Sequence, residues 1–183
     1  MEVRWEVQRD YELPLVTGVG KIAVQRDEPI EADDEYDAYH ETVGRIVITK
    51  VPLGSGDALL DMDMVSSDHS FLASQVLDAG DYDLDFFNWL MDELDVDSVG
   101  DPIFVIDLKI DERFNDSDCA VAAHAALDAL STFGGSQSPL ITFHREGVDP
   151  DLRSSLRDEG LWTWVHALRA KQYKQVYVAV CPR

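Results

Sequence analysis

Two periods of apolar alternation run along this chain and divide it into strands and helices. Val3, Trp5 and Val7 repeat every second residue, which predicts a short strand over Val3 to Gln8 with those three on one face. Pro14, Gly18 and Gly20 then read as a turn leading to a second strand, Lys21 to Gln25. The stretch from Asp27 to Glu41 is almost entirely acidic or small, the pattern of an exposed loop or a short polar helix. Arg45 to Val51 is a strand, entered through Gly44 and closed by Pro52-Leu53-Gly54. Leu59 to Met64 alternates apolar residues with aspartate, which predicts a half-buried strand paired with its predecessor.

The period then changes. Ser67-Asp68 can cap a helix that carries Phe71, Leu72, Gln75, Val76 and Leu77 and closes near Gly80. Leu84 to Leu94 places Phe86, Phe87, Trp89, Leu90 and Leu94 in a stripe at helical spacing, a pattern that usually belongs to a core. Ile103 to Ile110 opens with a continuous apolar run, as a central strand covered on both faces does. A long Ala-rich helix over about Ser117 to Thr132 ends at Gly134-Gly135. Pro139 to Phe143 is a strand, Asp149 to Asp158 a short helix, and Leu161 to Leu168 and Val176 to Cys181 are the last strands. With no repeat and no linker, the whole of 1–183 reads as one domain of the α/β (α+β) class, a mixed central sheet flanked by helices.

Composition adds one unusual number. The chain carries 36 acidic and 15 basic residues, a net charge of −21, and no Lys or Arg occurs between Lys50 and Lys109. Such a field repels nucleic acid and anionic membranes and attracts basic proteins or amine substrates. Adaptation to high salt or plain solubility explains the same charge, and both readings stay open. The N-terminus lacks the layout of a signal peptide, and Cys119 and Cys181 match no metal or redox spacing, so the expected location is the cytoplasm. No feature of the sequence sets an oligomeric state.

The order from Ile103 onward is strand, helix, strand, helix, strand, strand, and its phrases resemble the GNAT (N-acetyltransferase) superfamily. Phe104-Val105-Ile106-Asp107-Leu108-Lys109-Ile110-Asp111-Glu112-Arg113-Phe114 is similar to that family's central strand and the Val-Asp-Pro-Glu-Tyr phrase after it. Leu156-Arg157-Asp158-Glu159-Gly160-Leu161-Trp162 resembles its short helix ending in Leu-Gly-Phe, and Leu59 to Leu77 is similar to a short-helix insert before the central strand. The resemblance covers roughly half of the chain. It implies a GNAT-like mixed sheet and an acyl-CoA-dependent N-acyltransferase, with acetyl-CoA lying near Leu108 to Ile110 and on the loop Asn115, Asp116, Ser117, Asp118, Cys119 and Ala120.

The loop departs from the family's Arg-Gly-x-Gly-x-Gly/Ala. Asn115 stands for the Arg, and Asp116 and Asp118 stand for the first two glycines; Ala120 alone is an accepted residue. Glycine lets the backbone approach a pyrophosphate, whereas aspartate brings charge of the wrong sign. Asp116, Ser117 and Asp118 are equally good cap and first-turn residues for their own helix. The family's acidic Tyr position falls on Leu156, which has no proton to give. The general-base candidates are Asp107, Asp111 and Glu112, with Tyr173 or Tyr177 as an acid from the last strands.

The alternative to an enzyme is a non-catalytic acidic binding or inhibitor protein on the same fold, docking on a basic partner. No metal is expected: the five histidines lack ligand spacing, and Asp61, Asp63 and Asp68 lack the rest of a calcium loop.

Overall fold

The computed structural model of the protein describes residues 2–9, 13–30, 38–54, 56–96, 98–110, 130, 138–143 and 169–180. Nine strands are found among them: β1 (Glu2–Arg9), β2 (Val16–Gln25), β3 (His40–Lys50), β4 (Leu77–Asp78), β5 (Asp81–Tyr82), β6 (Ile103–Ile110), β7 (Pro139–Phe143), β8 (Lys171–Tyr173) and β9 (Val176–Val180). Three helices lie between β3 and β6 in the chain: α1 (Ala58–Val65), α2 (Ser67–Val76) and α3 (Leu84–Leu94). The fold is mixed α/β, as the periodicity predicts, with a seven-stranded, mostly antiparallel sheet in the order β1-β2-β3-β6-β7-β9-β8 and β4-β5 as a separate hairpin. The helices expected over Ser117 to Thr132 and Asp149 to Asp158 and the strand expected over Leu161 to Leu168 lie outside the described residues, apart from Leu130, which is helical.

The alternation in β1, the helical stripe in α3 and the apolar opening of β6 become the elements expected of them, whereas β3 starts at His40, so that Gly44 lies inside the strand rather than at its entry. Ile103, Phe104 and Val105 are fully buried, so β6 is covered on both faces. On one face Thr49, Phe104, Ile141 and Tyr173 lie under the helical layer; on the other, Ile46, Ile48, Val105 and Leu140 are buried as well. Phe86 and Leu90 of α3 are buried as the stripe implies, while Phe87 remains 37% exposed. Lys171 of β8 holds α3 from outside, donating from Nζ to the Glu93 carbonyl in the last turn and to Glu93 Oε2 at 3.0 Å.

Two segments differ from their sequence pattern. Gly18 and Gly20 do not turn; they lie inside β2, opposite Ile48 and Ile46 on β3 and Val7 and Trp5 on β1. The ladder overrides the local turn preference there, and a strand glycine leaves room for large neighbours.

Leu59 to Met64 forms part of helix α1 rather than a strand. Its Leu-Asp-Met-Asp-Met alternation mimics period two, yet every residue from Ala58 to Met64 lacks β-branching and most are strong helix formers. Asp57 caps the first turn by accepting Leu60 N–H at 3.1 Å, and Ser66, in extended conformation, ends α1 and caps α2. Ala58 and Met62, four apart, face the core, which leaves Leu60 and Met64 on the outer side at 54% and 66% exposure.

Candidate functional site

The sheet changes character at β6. It pairs antiparallel with β3 along its whole length but parallel with β7 only at Ile103↔Leu140 and Phe104↔Ile141. The register with β3 slips by one residue between Val47↔Asp107 and Ile48↔Val105, so Ile106 is the extra residue of a β-bulge on β6. A bulge bends its strand and increases the local twist, and this one lies just past the last β6–β7 pair. At the point of parting, Thr142 Oγ1 donates to the Val105 carbonyl at 3.1 Å, a side-chain bond where the ladder would otherwise continue. Beyond it the edge of β6 turned away from β3, from Ile106 to Ile110, has no partner strand among the described residues. Parted parallel strands open a crevice beyond their C-terminal ends, the place where α/β sheets receive ligands.

Of the residues expected at a site, Asp107, Leu108 and Ile110 lie on this stretch of β6. The Asp107 side chain is 14% exposed and holds Arg45 from the neighbouring strand: Nη2 and Nε of Arg45 donate to the same Oδ2 at 2.8 and 3.2 Å. Leu108 is buried, so its side chain serves the core and its backbone the strand edge. Tyr173 lies on β8, away from that edge in strand order. Its ring packs against Phe86 at 5.0 Å and Trp89 at 4.9 Å between centroids, with the Lys174 ammonium 5.0 Å from its own. Asp111, Glu112, Asn115, Asp116, Ser117, Asp118, Cys119 and Ala120 lie outside the described residues. No group of three or more His, Cys, Asp or Glu suited to a metal occurs among the described residues. No helix among them is long and apolar enough to cross a membrane.

A second polar feature lies under the helical layer. Ser66 Oγ sits 2.7 Å from Nδ1 of His69, and Nε2 of His69 sits 2.9 Å from Thr49 Oγ1, which is 3.5 Å from Thr17 Oγ1. Ser66 Oγ also accepts the His69 backbone N–H as the cap of α2, so we assign the Ser66 proton to Nδ1 and the ring proton to Nε2. The connectivity is that of a nucleophile, a base and an orienting group, but Thr49 carries no charge to stabilise an imidazolium. Burial pushes the ring down to about 4 from its ordinary 6.5. These residues therefore tie a helix cap to the sheet.

The depressed value has a sign. Below pH 6.5 the unfolded chain takes up this proton before the folded one does, so stability present at neutral pH is lost as pH falls toward 4. A shift of this size is worth about 3 kcal/mol for a fully shielded ring and, with solvent screening, about 1–2 kcal/mol. Urea unfolding of the protein and of His69→Gln should therefore diverge in pH dependence between pH 7 and 4, the variant losing less. Parallel curves would mean that the ring does not titrate with folding.

The register itself assembles one grouping that no stretch of sequence displays. Arg4 pairs with Lys21, Lys21 with Arg45 and Arg45 with Lys109, which sets basic residues opposite one another across β1, β2, β3 and β6. Opposite residues share a face, and this row lies on the face of Thr49, four residues along β3 or about 13 Å away. Among the described residues the helices leave its first three members open: Arg4 is exposed, and the side chains of Lys21 and Arg45 are 53% and 55% exposed. Spacing could not have revealed it, because the four come from four separate segments of the chain.

No family model, curated protein or solved structure matches this chain.

Proposed function

We propose that this protein is a GNAT-like acyl-CoA-dependent N-acyltransferase whose cofactor loop is atypical. The observation that carries the reading is the parted parallel pair: β6 bulges at Ile106, leaves β7 after Phe104 and has, from Ile106 to Ile110, an edge with no partner strand among the described residues. Such an edge suits an extended ligand that carries amides, because backbone N–H and C=O groups can pair with it as an added strand would. The acyl-CoA resemblance points to the same stretch of β6, and the seven-stranded order agrees with a mixed central sheet.

A bound acyl thioester supplies an electrophilic carbonyl carbon: an amine nitrogen bonds to it, the C–S bond breaks, and the amine's proton ends on the departing thiolate. The chain's part is to hold and polarise. A β6 backbone N–H aimed at the carbonyl oxygen would stabilise the charge that develops there. Asp107, held by Arg45, is a carboxylate on that strand that can receive an ammonium.

A second reading has its own observation. The segment without Lys or Arg contains α1 and α3, and these expose Leu60, Met64, Val65 and Leu84 among aspartates. Apolar anchors in an acidic field suit a basic protein partner, with no chemistry required.

One titration separates the two. For a domain of this size, acetyl-CoA at about 100 times its dissociation constant adds about 2.7 kcal/mol and raises Tm by about 5–10 °C. Calorimetric melting with acetyl-CoA and with free CoA should give that shift. No shift at millimolar ligand would remove the acyltransferase reading and leave the basic partner.

A further inference from the structure

We propose that β1 is a dimerisation edge: two copies of this chain pair β1 with β1, antiparallel about a two-fold axis at Trp5, so that their sheets run on as one. The inference is independent of the acyltransferase reading. It rests on where the strand order ends and on the order of residues along β1.

The seven-stranded sheet ends in β1 on one side and β8 on the other. β8 is three residues long, and shortness is one way in which an edge is kept from recruiting strands. β1 is the opposite case. It holds eight residues in register with β2, from Glu2↔Ala23 to Arg9↔Val16, with no bulge and no proline. Its outer edge has no partner strand among the described residues. Arg4, Glu6 and Val7 are exposed, Val7 to 51%. A long, regular edge with an open β-branched residue is a template for a further strand.

The residues of β1 say which strand. Val3-Arg4-Trp5-Glu6-Val7 reads the same from either end, except that Arg and Glu exchange places. Turned about Trp5, it sets Val3 opposite Val7, Trp5 opposite itself, and Arg4 opposite Glu6 at two symmetry-related positions. Opposite residues then share a face, which a slip of one residue would undo. A slip of two residues brings Arg4 against Arg4 and Glu2 against Glu6, or, in the other direction, Glu6 against Glu6. Opposite charges across a ladder stabilise it and like charges do not, so charge selects the axis at Trp5. The Glu6 side chain, 3.4 Å from Lys21 Nζ, is 61% exposed, and a carboxylate has acceptor sites for a second cation. A guanidinium with five N–H donors likewise serves more than one carboxylate. Glu2, Arg4, Glu6 and Arg9 make this edge neutral in a chain of net charge −21, so two copies meet there with less repulsion than at the helical layer. Strand pairing of this length gives an interface at the small end of the specific range, and hence a reversible dimer.

The test is sedimentation velocity of the whole chain over about 5–500 μM, which spans micromolar dissociation constants. The mass should rise with concentration from 20.5 kDa toward twice that value. Arg4→Glu should weaken the dimer about tenfold or more, because both symmetric pairs change from attraction to repulsion. Glu6→Arg combined with Lys21→Glu, which keeps an ion pair between these two positions inside the chain, should do the same. Mixing the two variants should restore the dimer, since every glutamate at these positions then faces an arginine. If the second variant does not melt cooperatively, the exchange Arg4→Glu/Glu6→Arg answers the same question, because it inverts both signs and should dimerise as the parent does. A chain that stays at 20.5 kDa throughout would overturn the proposal. A dimer indifferent to Arg4→Glu, or folded variants that stay monomeric when mixed, would overturn it equally.

Discussion

Phe86→Ala should destabilise the fold by about 3–5 kcal/mol, the largest single-residue loss expected in this protein. Phe86 is fully buried in α3 and touches three aromatic rings: Tyr82 at 5.6 Å, Trp89 at 5.9 Å and Tyr173 at 5.0 Å between centroids. Those rings come from β5, from α3 itself and from β8, so one side chain joins the helical layer to the far edge of the sheet. Removing it deletes the transfer energy of the ring and leaves a cavity that neighbours fixed by backbone cannot close. Tyr82 is the least able to move, because its hydroxyl donates to the Gly100 carbonyl at 2.7 Å. Equilibrium urea unfolding followed by tryptophan fluorescence measures the loss, and Phe87→Ala, at a position 37% exposed on the same helix, should cost about 1–2 kcal/mol. Similar losses for the two would contradict the burial of α3 described here.

The second largest effect is expected from a single added methyl group. A Cβ built on Gly80 would lie 2.2 Å from the Gly56 carbonyl oxygen and 3.4 Å from its carbon, both backbone atoms. A rotamer change cannot relieve that contact, so the two segments must separate. They are joined by Gly54 N–H to the Gly80 carbonyl at 2.9 Å and by Leu59 N–H to the Ala79 carbonyl at 3.0 Å, which dock the β4–β5 hairpin on the entry to α1. Gly80→Ala should therefore cost about 2–3 kcal/mol through overpacking and loosened hydrogen bonds. Gly56→Ala is the control: its Cβ would meet only Asp61 Oδ2, at 3.8 Å, and melting should hardly change. Equal melting of Gly80→Ala and the parent protein would mean that the hairpin sits farther from that loop.

Both substitutions act on the helical layer and its hairpin, while the parted strands belong to the sheet. Stability and ligand binding should therefore separate. Phe86→Ala should lower the melting temperature with little change in the acetyl-CoA shift while the fold persists.

Local pattern carried the fold a long way. The β6 run Ile-Phe-Val-Ile announces a strand buried on both sides, and the α3 stripe announces a helix with an inward face, because burial imposes its period directly on residue type. It failed at Leu59–Met64, where two turns of helix and a strand share the same alternation and the Asp57 cap decides between them. It failed again at Gly18 and Gly20, whose conformation is set by the strands on either side. The short strand β8, three residues long, offered no period to read.

The candidate site was legible only in part. Asp107 and the β6 segment could be named from the chain, because a charged residue inside an apolar run stands out. Its tie to Arg45, 62 residues earlier, could not be, nor could the packing of Tyr173 against α3. The sequence by itself determined the strands β1, β6, β7 and β9, the stripe of α3 and the sign of the total charge, all of which depend on neighbours along the chain. The tertiary structure alone decided the bulge at Ile106, the parting of β6 from β7 and the alignment of Arg4, Lys21, Arg45 and Lys109. These depend on register, and register is fixed by pairing between distant segments, where a slip of one residue would send every side chain to the other face.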